Sequence, residues 1–576
     1  MVEKKFIYSS ILIGFILSAC YAQVVQVKIV DNQENKTLYS ANVKVVSDIH
    51  KVTKEFLYNY QRKGYLLADY DSIIKKDSVW IYYLNKHNLF KWAQLRKGNL
   101  ENKLYYEFFQ SKKFDQKPVI YSEIVNLFEK IIRYYENNGY PFASIKLDSI
   151  SIDSNYISAS LLINKYQYVK IDSIILQGSL KINKKFLYKY IDIYPNNPYS
   201  EKKLQQIENK LKKLPFVTIR QSPIIRITDK YNKVYIFADH KNVSQFDGII
   251  GIQPDANGKT ILAGNLKIKL INSIFRNAEQ IDLDWQRVQA LTQNFKFYYS
   301  MPYLFGTPFG LNYHIQLFKK DSTFIDVQNQ IGINYYFSGI NHIQFFYKLR
   351  NSNLISTYGL SNISVLPDYA DVTTKNYGIG CGINTLNNIN NPSKGWVFQT
   401  QVSVGNKTIR KNPAINEQVY KNILLNSLQY QAEGNIDVFI PRVLSKYTTL
   451  KLSTKWGYID GNGILFKNEL FRIGGLKSIR GFNEQSIFAN TYLIPSVEYR
   501  FIYSENGYLM IFSDVGYYTA NFNNQKQSNQ IYSFGAGIQF ETKAGLFNLI
   551  YALGNNFGQS PDFRIGKIHA GLIANF

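Results

Sequence analysis

The sequence predicts an α+β region of about three small modules, followed by an all-β domain of about sixteen strands that forms a transmembrane barrel. Three observations support this fold class. The N-terminal half repeats a helix–turn–strand pattern, the C-terminal half alternates polar and apolar residues in short strands, and no apolar run after the N-terminal segment reaches about 18 residues. A chain without a transmembrane helix can still cross a membrane as a barrel, because each strand pairs with its neighbours and no backbone edge is left in lipid.

The N-terminus predicts export from the cytoplasm. Two lysines precede a mostly apolar run over 6–17, and small residues follow, which is the order found in a secretory signal peptide covering 1–22. Two cleavage sites remain open. The tetrapeptide LSAC is similar to a lipobox and would leave Cys20 lipidated, whereas Ala22 supplies the small residue that an ordinary signal peptidase requires and favours that second site.

Composition argues against several classes of protein. Cys381 is the only cysteine besides Cys20, so an intrachain disulfide framework is not expected. The formal net charge is +25, but the lysines are spread along an exported chain, which argues against a nucleic-acid partner. We expect the positively charged side chains to contact anionic lipid headgroups. The alternative is a charged surface that is merely solvated.

The region from 23 to 243 predicts small modules in series. In each module a helix leads through a turn into two strands, and Gly64 and Gly139 follow the first two helices, where a left-handed C-cap suits glycine. A single irregular α+β domain is the alternative. The predicted modules cover 23–100, 101–166 and 167–243, the first of them incomplete, and the predicted helices cover 49–62, 124–135 and 200–212.

The region from 247 to 576 predicts the barrel. Its strands alternate as in Leu266–Leu270, where apolar residues point one way and lysines the other, although a soluble sheet would alternate in the same way. Connections of unequal length favour the membrane barrel, because such barrels carry long loops at one end and tight turns at the other. The long connections are predicted near 351–374, 406–421 and 460–491.

The last strand, over 567–576, alternates up to an aromatic residue. Every second residue from Ile568 is apolar, and the alternation ends on Phe576. A soluble protein has no need of an aromatic residue at this position. The ending is similar to the C-terminal signal by which outer-membrane proteins are recognised for insertion.

A basic, glycine-rich segment, FRIGGLKSIRGF over 471–482, interrupts the predicted strands. Together with the repeats and the barrel, it resembles the BamA/TamA superfamily of outer-membrane assembly and translocation proteins (the bacterial surface antigen family), whose repeats are POTRA domains. The first module departs from the family's pattern at its start. Three motifs carry the resemblance: the lumen-loop motif of Gly474, Gly475, Ile479, Arg480, Gly481 and Phe482; the acidic Glu498 in the next strand; and the Phe-x-Asp-x-Gly pattern of Phe512, Asp514 and Gly516.

The resemblance implies that the loop folds back into the lumen and that Arg480 docks on Glu498 and Asp514. The strand pattern supports this placement, because both acids alternate with apolar residues and a charge facing lipid would be costly. Two carboxylates that face one lumen from adjacent strands repel each other unless a cation lies between them, and a guanidinium has directed donors for both. The alternatives are a solvated loop arginine and ordinary lumen polarity.

No catalytic or metal-binding pattern is present in the sequence. The six histidines are scattered without metal-ligand spacing, and neither HExxH nor a P-loop nor a nucleophile elbow occurs. The segment Gly378–Gly382 is glycine-rich like a nucleotide-binding run, but it alternates like a strand with small residues facing the lumen. We therefore expect no enzyme activity, no cofactor and no metal.

The resemblance further implies a protein of the Gram-negative outer membrane, with periplasmic modules, that assists the insertion or translocation of other outer-membrane proteins. POTRA strand edges would receive unfolded clients by β-augmentation. The barrel seam, whose first strand includes the glycine-rich run Gly248–Gly251, would open laterally. Accessory lipoproteins or periplasmic chaperones are expected as further partners. Two alternatives remain: a two-partner-type secretion transporter for a dedicated substrate, and a passive porin or surface-binding barrel.

Overall fold

The structure of the protein is a computed structural model. The predicted signal peptide over 1–22, the candidate lipidation residue Cys20 and the C-terminal Phe576 lie outside the residues that it describes. Three small α+β modules precede a sheet of sixteen antiparallel strands, as the sequence predicts. The described residues are 24–44, 46–109, 114–254, 260–289, 292–388, 391–523, 525–542, 545–556, 564 and 566–575.

The first module is a four-stranded sheet with one helix. Its elements are β1 (Val25–Asp31), β2 (Thr37–Val43), α1 (Val46–Arg62), β3 (Asp69–Lys76) and β4 (Val79–Asn85). The strand order is β2-β1-β4-β3, with β1 and β4 parallel. Ile49 of the helix is buried in one cluster with Val27, Ile29 and Leu84 of the two central strands. The β1–β2 hairpin is the departure from the repeat pattern that the sequence indicates at the start of this module.

The second and third modules share the order strand, helix, helix, strand, strand. Their strand orders are β5-β7-β6 and β8-β10-β9, so the first strand of each module lies parallel to its last strand. The second contains β5 (Lys91–Arg96), α2 (Asn102–Phe108), α3 (Tyr121–Glu136), β6 (Ser144–Asp153) and β7 (Tyr156–Asn164). The third contains β8 (Ser173–Gln177), α4 (Lys184–Ile191), α5 (Glu201–Leu211), β9 (Val217–Ile227) and β10 (Asn232–His240).

The first helix of each of these modules was not predicted from the sequence. Helices α2 and α4 have seven and eight residues, and periodicity alone does not distinguish so short an apolar stripe from a strand. Strand β5, which pairs with β7, was not predicted either. The predicted boundary at residue 100 therefore falls inside the second module, which begins before Lys91.

The longer helices follow from amphipathic spacing. In α3, the buried residues Leu127, Ile131 and Tyr135 lie four positions apart, so one stripe of the helix faces the sheet. Gly139 follows with a φ of +95°, a left-handed conformation that is costly for residues with a Cβ. Across the described residues, no helix is long and apolar enough to cross a membrane.

Sixteen antiparallel strands form the barrel, which agrees with the number that the sequence predicts. Eleven of them precede the FRIGGLKSIRGF segment and five follow it. The first eleven are β11 (Gln245–Pro254), β12 (Thr260–Ile271), β13 (Gln280–Gln289), β14 (Thr292–Met301), β15 (Phe309–Lys320), β16 (Phe324–Ser338), β17 (Asn341–Leu354), β18 (Val372–Asn384), β19 (Gly395–Ile409), β20 (Asn426–Pro441) and β21 (Thr448–Gly461). A separate two-stranded hairpin follows, of β22 (Phe471–Ile473) and β23 (Ile487–Ala489). The last five barrel strands are β24 (Thr491–Ile502), β25 (Tyr508–Phe522), β26 (Gln525–Thr542), β27 (Gly545–Asn556) and β28 (Lys567–Asn575).

The barrel strands carry apolar residues outward and polar residues inward. In β25, Leu509, Ile511 and Val515 are exposed on the outer surface, whereas Phe512 and Asp514 are buried on the inner face. A belt of exposed apolar side chains around a barrel is the surface that hydrocarbon covers, and the inner polar face forms the lumen. The side-chain orientation agrees with the alternation predicted for a membrane barrel.

The two ends of the barrel differ in the length of their connections. Long connections over 355–371, 410–425 and 462–490 lie at one end, which we call the long-loop end. The opposite end, which we call the short-turn end, is where the third module leads into β11. There Tyr303, in the turn between β14 and β15, packs on Phe186 of α4 with ring centroids 5.7 Å apart. This contact joins the third module to the barrel.

The first and last barrel strands form a weak seam. Across the described part of both strands, β11 and β28 pair only at Gln245–Asn575 and Phe246–Ala574. By contrast, β27 and β28 pair continuously from Leu546 to Ala552. Most of the edge of β11 is therefore not paired with β28, and the glycine-rich run expected at the seam lies in this unpaired part.

We expect the purified protein to migrate faster on a gel before heating than after heating, because the ladder of backbone hydrogen bonds keeps the barrel compact in detergent. The protein should also stay in the membrane after washes with high salt and alkali, since its outer apolar belt contacts lipid. Release by salt alone, or equal migration of heated and unheated samples, would contradict the membrane barrel.

Candidate functional site

The candidate site lies where the connection between β21 and β24 folds back into the lumen. Its tip, residues 474–486, extends from the hairpin of β22 and β23. Gly474, Gly475 and Gly481 have φ values of +115°, +89° and +81°, so the chain reverses where a side chain would be strained. A Cβ at Gly481 would lie 2.6 Å from the backbone nitrogen of Gly554 in β27. Glycine therefore lets the tip approach the barrel wall.

Arg480 lies in the tip, and all three nitrogens of its guanidinium donate hydrogen bonds to side chains of the lumen wall. Nε and Nη2 donate hydrogen bonds to the two carboxylate oxygens of Asp514, at 2.9 and 2.5 Å. Nη1 donates to Oε2 of Glu498 at 2.8 Å, and Nη2 also donates to Oγ of Ser496 at 2.9 Å. The guanidinium carbon lies 3.5 Å from the ring centroid of Phe512, so a cation–π contact adds to the hydrogen bonds.

The structure brings together the three charged residues that the sequence singled out. Glu498 in β24 and Asp514 in β25 both face the lumen, but they are not register partners: Asp514 is opposite Ser496, and Glu498 is opposite Phe512. The two carboxylates are therefore diagonal neighbours, and Arg480 spans them. Sequence reasoning missed Ser496, because a single serine in a strand carries no signal of such a contact.

Burial strengthens this ionic contact. The side chains of Arg480, Glu498 and Asp514 are 11, 5 and 2% exposed. Arg500 donates from Nε to Oε1 of Glu498 at 2.6 Å, so two arginines face two carboxylates. Asp514 also accepts hydrogen bonds from the backbone N–H of Arg480 at 3.1 Å and from Oγ of Ser533 at 3.2 Å. Carboxylates held by so many donors suit a fixed docking site and are poorly placed for acid–base chemistry.

The remaining motif residues position the tip. Ile479 is fully buried, and a Cβ at Gly516 would lie 3.0 Å from its Cδ1, so Gly516 leaves the space that Ile479 fills. Phe482 lies against Gly554, where a Cβ would be 2.7 Å from the phenyl ring. Packing on both sides of Arg480 thus fixes the direction in which its side chain leaves the backbone.

A polar cavity of about 600 Å³ lies in the lumen beside the tip. Lys477 and Ser478 form part of its lining, and Lys455 of β21 donates to the carbonyl of Lys477 at 2.7 Å. Amide side chains and glycines make up much of the rest. Among the described residues, no group of three His, Cys, Asp or Glu side chains is placed to hold a metal ion. The cavity offers polar contacts to the tip and to water.

Two family models match the chain. Residues 274–570 match the Omp85 superfamily domain. Residues 169–238, in the third module, match the POTRA model, described as the surface antigen variable number repeat. No curated protein matches the chain.

Several solved structures are similar to the chain at low sequence identity. CdiB from Escherichia coli is 12% identical, with a TM-score of 0.52, and the match covers 92% of this chain and 98% of that one. BamA from Haemophilus ducreyi lacking POTRA domains 1-3 is 14% identical, with a TM-score of 0.42 and coverages of 84% and 100%. CdiB from Acinetobacter baumannii is 14% identical, with a TM-score of 0.49 and coverages of 82% and 87%. The likeness to CdiB from Escherichia coli shows a shared fold.

We expect Arg480→Ala to release the tip from the wall. The change leaves Glu498 and Asp514 buried without their shared cation, and loss of one partner of a buried charge pair costs about 3–5 kcal/mol. Arg480→Lys should restore docking only in part, because an ammonium cannot match both carboxylates with directed donors. The substitution Ile479→Cys, in protein that also carries Cys381→Ser, reports the change: a thiol reagent should label residue 479 only when Arg480 is absent.

The control for this labelling is Ser478→Cys. Ser478 is half-buried and lines the lumen cavity, so its thiol should react with or without Arg480. Heat-modifiable migration checks that each variant has a folded barrel. Equal labelling of residue 479 in both backgrounds would mean that Arg480 does not hold the tip.

Proposed function

Since this chain belongs to the Omp85 superfamily, whose members are outer-membrane assembly factors or transporters, we propose that it inserts other β-barrel proteins into the outer membrane by pairing their strands at its seam. Its role is in outer-membrane protein assembly or translocation. Of these two roles, we propose assembly. No nucleotide or other cofactor is required, because each step exchanges backbone hydrogen bonds.

The observation that carries the proposal is the weak pairing of β11 with β28. Among the described residues, two residue pairs join these strands, so a small number of hydrogen bonds must break before the edge of β11 becomes available. An unpaired edge offers a row of backbone donors and acceptors to an incoming strand. A client hairpin that pairs with this edge would gain the hydrogen bonds that it lacks in lipid.

The modules supply further strand edges, which we assign to the capture of unfolded clients. β6 and β9 are edge strands of their sheets. On β6, Ile150 and Ile152 are 56 and 63% exposed, next to an irregularity in the pairing with β7. On β9, Ile224 is 42% exposed. An extended client could add to such an edge through its backbone and bury these side chains.

We place the short-turn end and the modules in the periplasm, and the long-loop end outside the cell. Both β11 at its start and β28 at its end lie at the short-turn end, as expected for an even number of strands. Clients would then reach the modules before the membrane. Periplasmic chaperones or accessory lipoproteins would deliver them.

Dedicated export of one substrate, as in two-partner secretion, is the nearest alternative function. The seam favours insertion, because passage through the lumen needs no unpaired strand edge. A passive porin or surface-binding barrel is a further alternative, and it leaves three α+β modules without a role.

Depletion of the protein followed by outer-membrane proteomics tests the proposal. Insertion predicts the loss of many barrel proteins, whereas loss of a single secreted protein would indicate dedicated export and contradict the proposal. Depleted cells are then supplied with a variant that carries Phe246→Cys and Ala574→Cys, which are register partners across the seam, together with Cys381→Ser. Under oxidising conditions this variant should not restore the lost proteins, and a reductant should restore them.

The matched control carries Leu549→Cys and Ala570→Cys, which are register partners in the adjacent β27–β28 pair. That disulfide joins strands already paired over their length, so this variant should restore the lost proteins with or without reductant. If the oxidised seam variant restores them as well as the control does, insertion does not require the seam to open.

Deletion of Phe576 should reduce the amount of folded protein in the membrane more than the amount synthesised. The alternation of the last strand ends on this aromatic residue, as in the signal that marks outer-membrane proteins for insertion. The folded fraction is measured by heat-modifiable migration and the total by immunoblot. Phe576→Tyr, which keeps an aromatic ring, should behave like the wild type, and a normal folded fraction after the deletion would contradict a signal role.

A further inference from the structure

A second group of buried charges holds the same lumen loop, on barrel strands other than those that Arg480 contacts. The neck of the loop, which we define as residues 466–473, leads from the long-loop end to the tip. Within it, Asn468 and Glu469 are 1 and 3% exposed. A carboxylate in a loop is normally solvated, so the burial of Glu469 calls for specific partners.

Glu469 has such partners on both of its oxygens. Lys407 of β19 approaches Oε2 with its Nζ at 2.5 Å, and the two side chains are 2 and 1% exposed. The backbone N–H of Phe466 donates to the same oxygen at 2.8 Å, and Gln429 of β20 donates to Oε1 at 2.9 Å. The Lys407 ammonium also lies 5.1 Å from the ring centroid of Phe466, which is fully buried. The neck is thereby attached to two wall strands.

An arginine attaches the neck to two further wall strands. Arg350 of β17 donates from Nε and Nη2 to Asp326 of β16, at 2.7 and 3.0 Å. Its Nη1 donates to the backbone carbonyl of Glu469 at 2.8 Å, and Nη2 reaches the carbonyl of Asn468. The side chain of Asn468 in turn donates to Oγ of Ser352 at 2.7 Å. Arg350 therefore joins a buried wall carboxylate to the backbone of the loop.

The two groups of charges hold the loop at different parts of the barrel wall. The neck contacts β16, β17, β19 and β20, which are the sixth, seventh, ninth and tenth barrel strands. The tip contacts β24 and β25, the twelfth and thirteenth. In a ring of sixteen, β16 and β17 lie five to seven strands from β24 and β25 and face them across the lumen, whereas β19 and β20 lie only two to four strands away. The loop therefore spans the lumen between the wall at β16 and β17 and the wall at β24 and β25.

An apolar cluster lies beside the neck at the long-loop end. Leu366 from the connection after β17, Ile415 and Tyr420 from the connection after β19, and Phe466 from the neck are buried together. Three long connections thus share one small core, and Phe466 joins that core to the Lys407–Glu469 pair.

We propose that the Lys407–Glu469 ion pair, positioned by the contacts of Arg350 with the neck backbone, is a second ionic anchor that keeps the long-loop end of the lumen closed to ions independently of Arg480. When Arg480 leaves the wall, the tip moves but the neck stays across the lumen. Closure fails only when both attachments are lost. The anchor acts on the permeability of the barrel, whether its clients are inserted or exported.

Ion conductance of the purified full-length protein in planar lipid bilayers tests this proposal. The neck variant combines Lys407→Met with Glu469→Gln, which removes both charges at nearly constant volume and keeps a group that can bond to Phe466 and Gln429. The tip variant is Arg480→Ala. We expect each variant alone to raise the conductance only slightly, and the combination to raise it by more than the sum of the two increases.

The matched control combines Lys411→Met with Glu417→Gln, the same substitutions in an exposed ion pair of the connection after β19. In the Arg480→Ala background, it should leave the conductance at the level of Arg480→Ala alone. An increase equal to that of the neck variant would overturn the proposal, because any change in the long connections would then suffice.

Two further results would also overturn it. A combined variant that conducts no more than Arg480→Ala would mean that the neck charges do not close the lumen. A neck variant that conducts as much as the combination would mean that the anchors are not independent. If heat-modifiable migration shows that the combined variant is not folded, Glu469→Gln with Arg480→Ala replaces it and is judged by the same criteria. No client is present in this assay, so its failure leaves the insertion proposal standing.

Discussion

The contact of Arg480 with Asp514 and Glu498 is the interaction on which the arrangement of the lumen depends. Two carboxylates buried on adjacent strands repel each other, and a shared guanidinium makes their burial tolerable. The surrounding residues follow from that requirement: Gly481 lets the backbone approach β27, and Gly516 makes room for Ile479. The irregular segment FRIGGLKSIRGF is thus explained by the wall that it meets rather than by its own conformational preferences.

The barrel itself has two opposing requirements. Stability in lipid needs every backbone donor and acceptor to be paired, whereas the proposed function needs a strand edge that can be exposed. Fifteen of the sixteen junctions between neighbouring strands have extended pairing. The remaining junction, between β11 and β28, is held by two residue pairs within the part of the chain that the structure describes. Weak strand pairing is therefore confined to the junction of β11 and β28, and the barrel loses only a small part of its backbone hydrogen bonds there.

Much of the fold could be predicted from the sequence, and what could not has a physical reason. Strand alternation predicted which faces of β24 and β25 meet lipid, and the motif placed Arg480 between Glu498 and Asp514, because both signals are local. Helix α4 was missed because eight residues hold too little periodicity. Lys407 and Glu469 were missed because they are 62 positions apart and only barrel closure and the fold of the loop bring them together. An acidic residue before a glycine-rich loop gives no indication of the lysine that it will meet.

Two separate attachments of one loop would reconcile the proposed opening of the barrel wall with a membrane that must exclude ions. The tip lies on β24, β25 and β27, on the side of the barrel that leads to the seam. The neck lies on β16 to β20, away from the seam. Strands near the seam could then move with the tip, or release it, while the neck stays in place across the lumen. A single attachment at Arg480 would couple every seam movement to a leak, and the proposed anchor at the neck would remove that coupling.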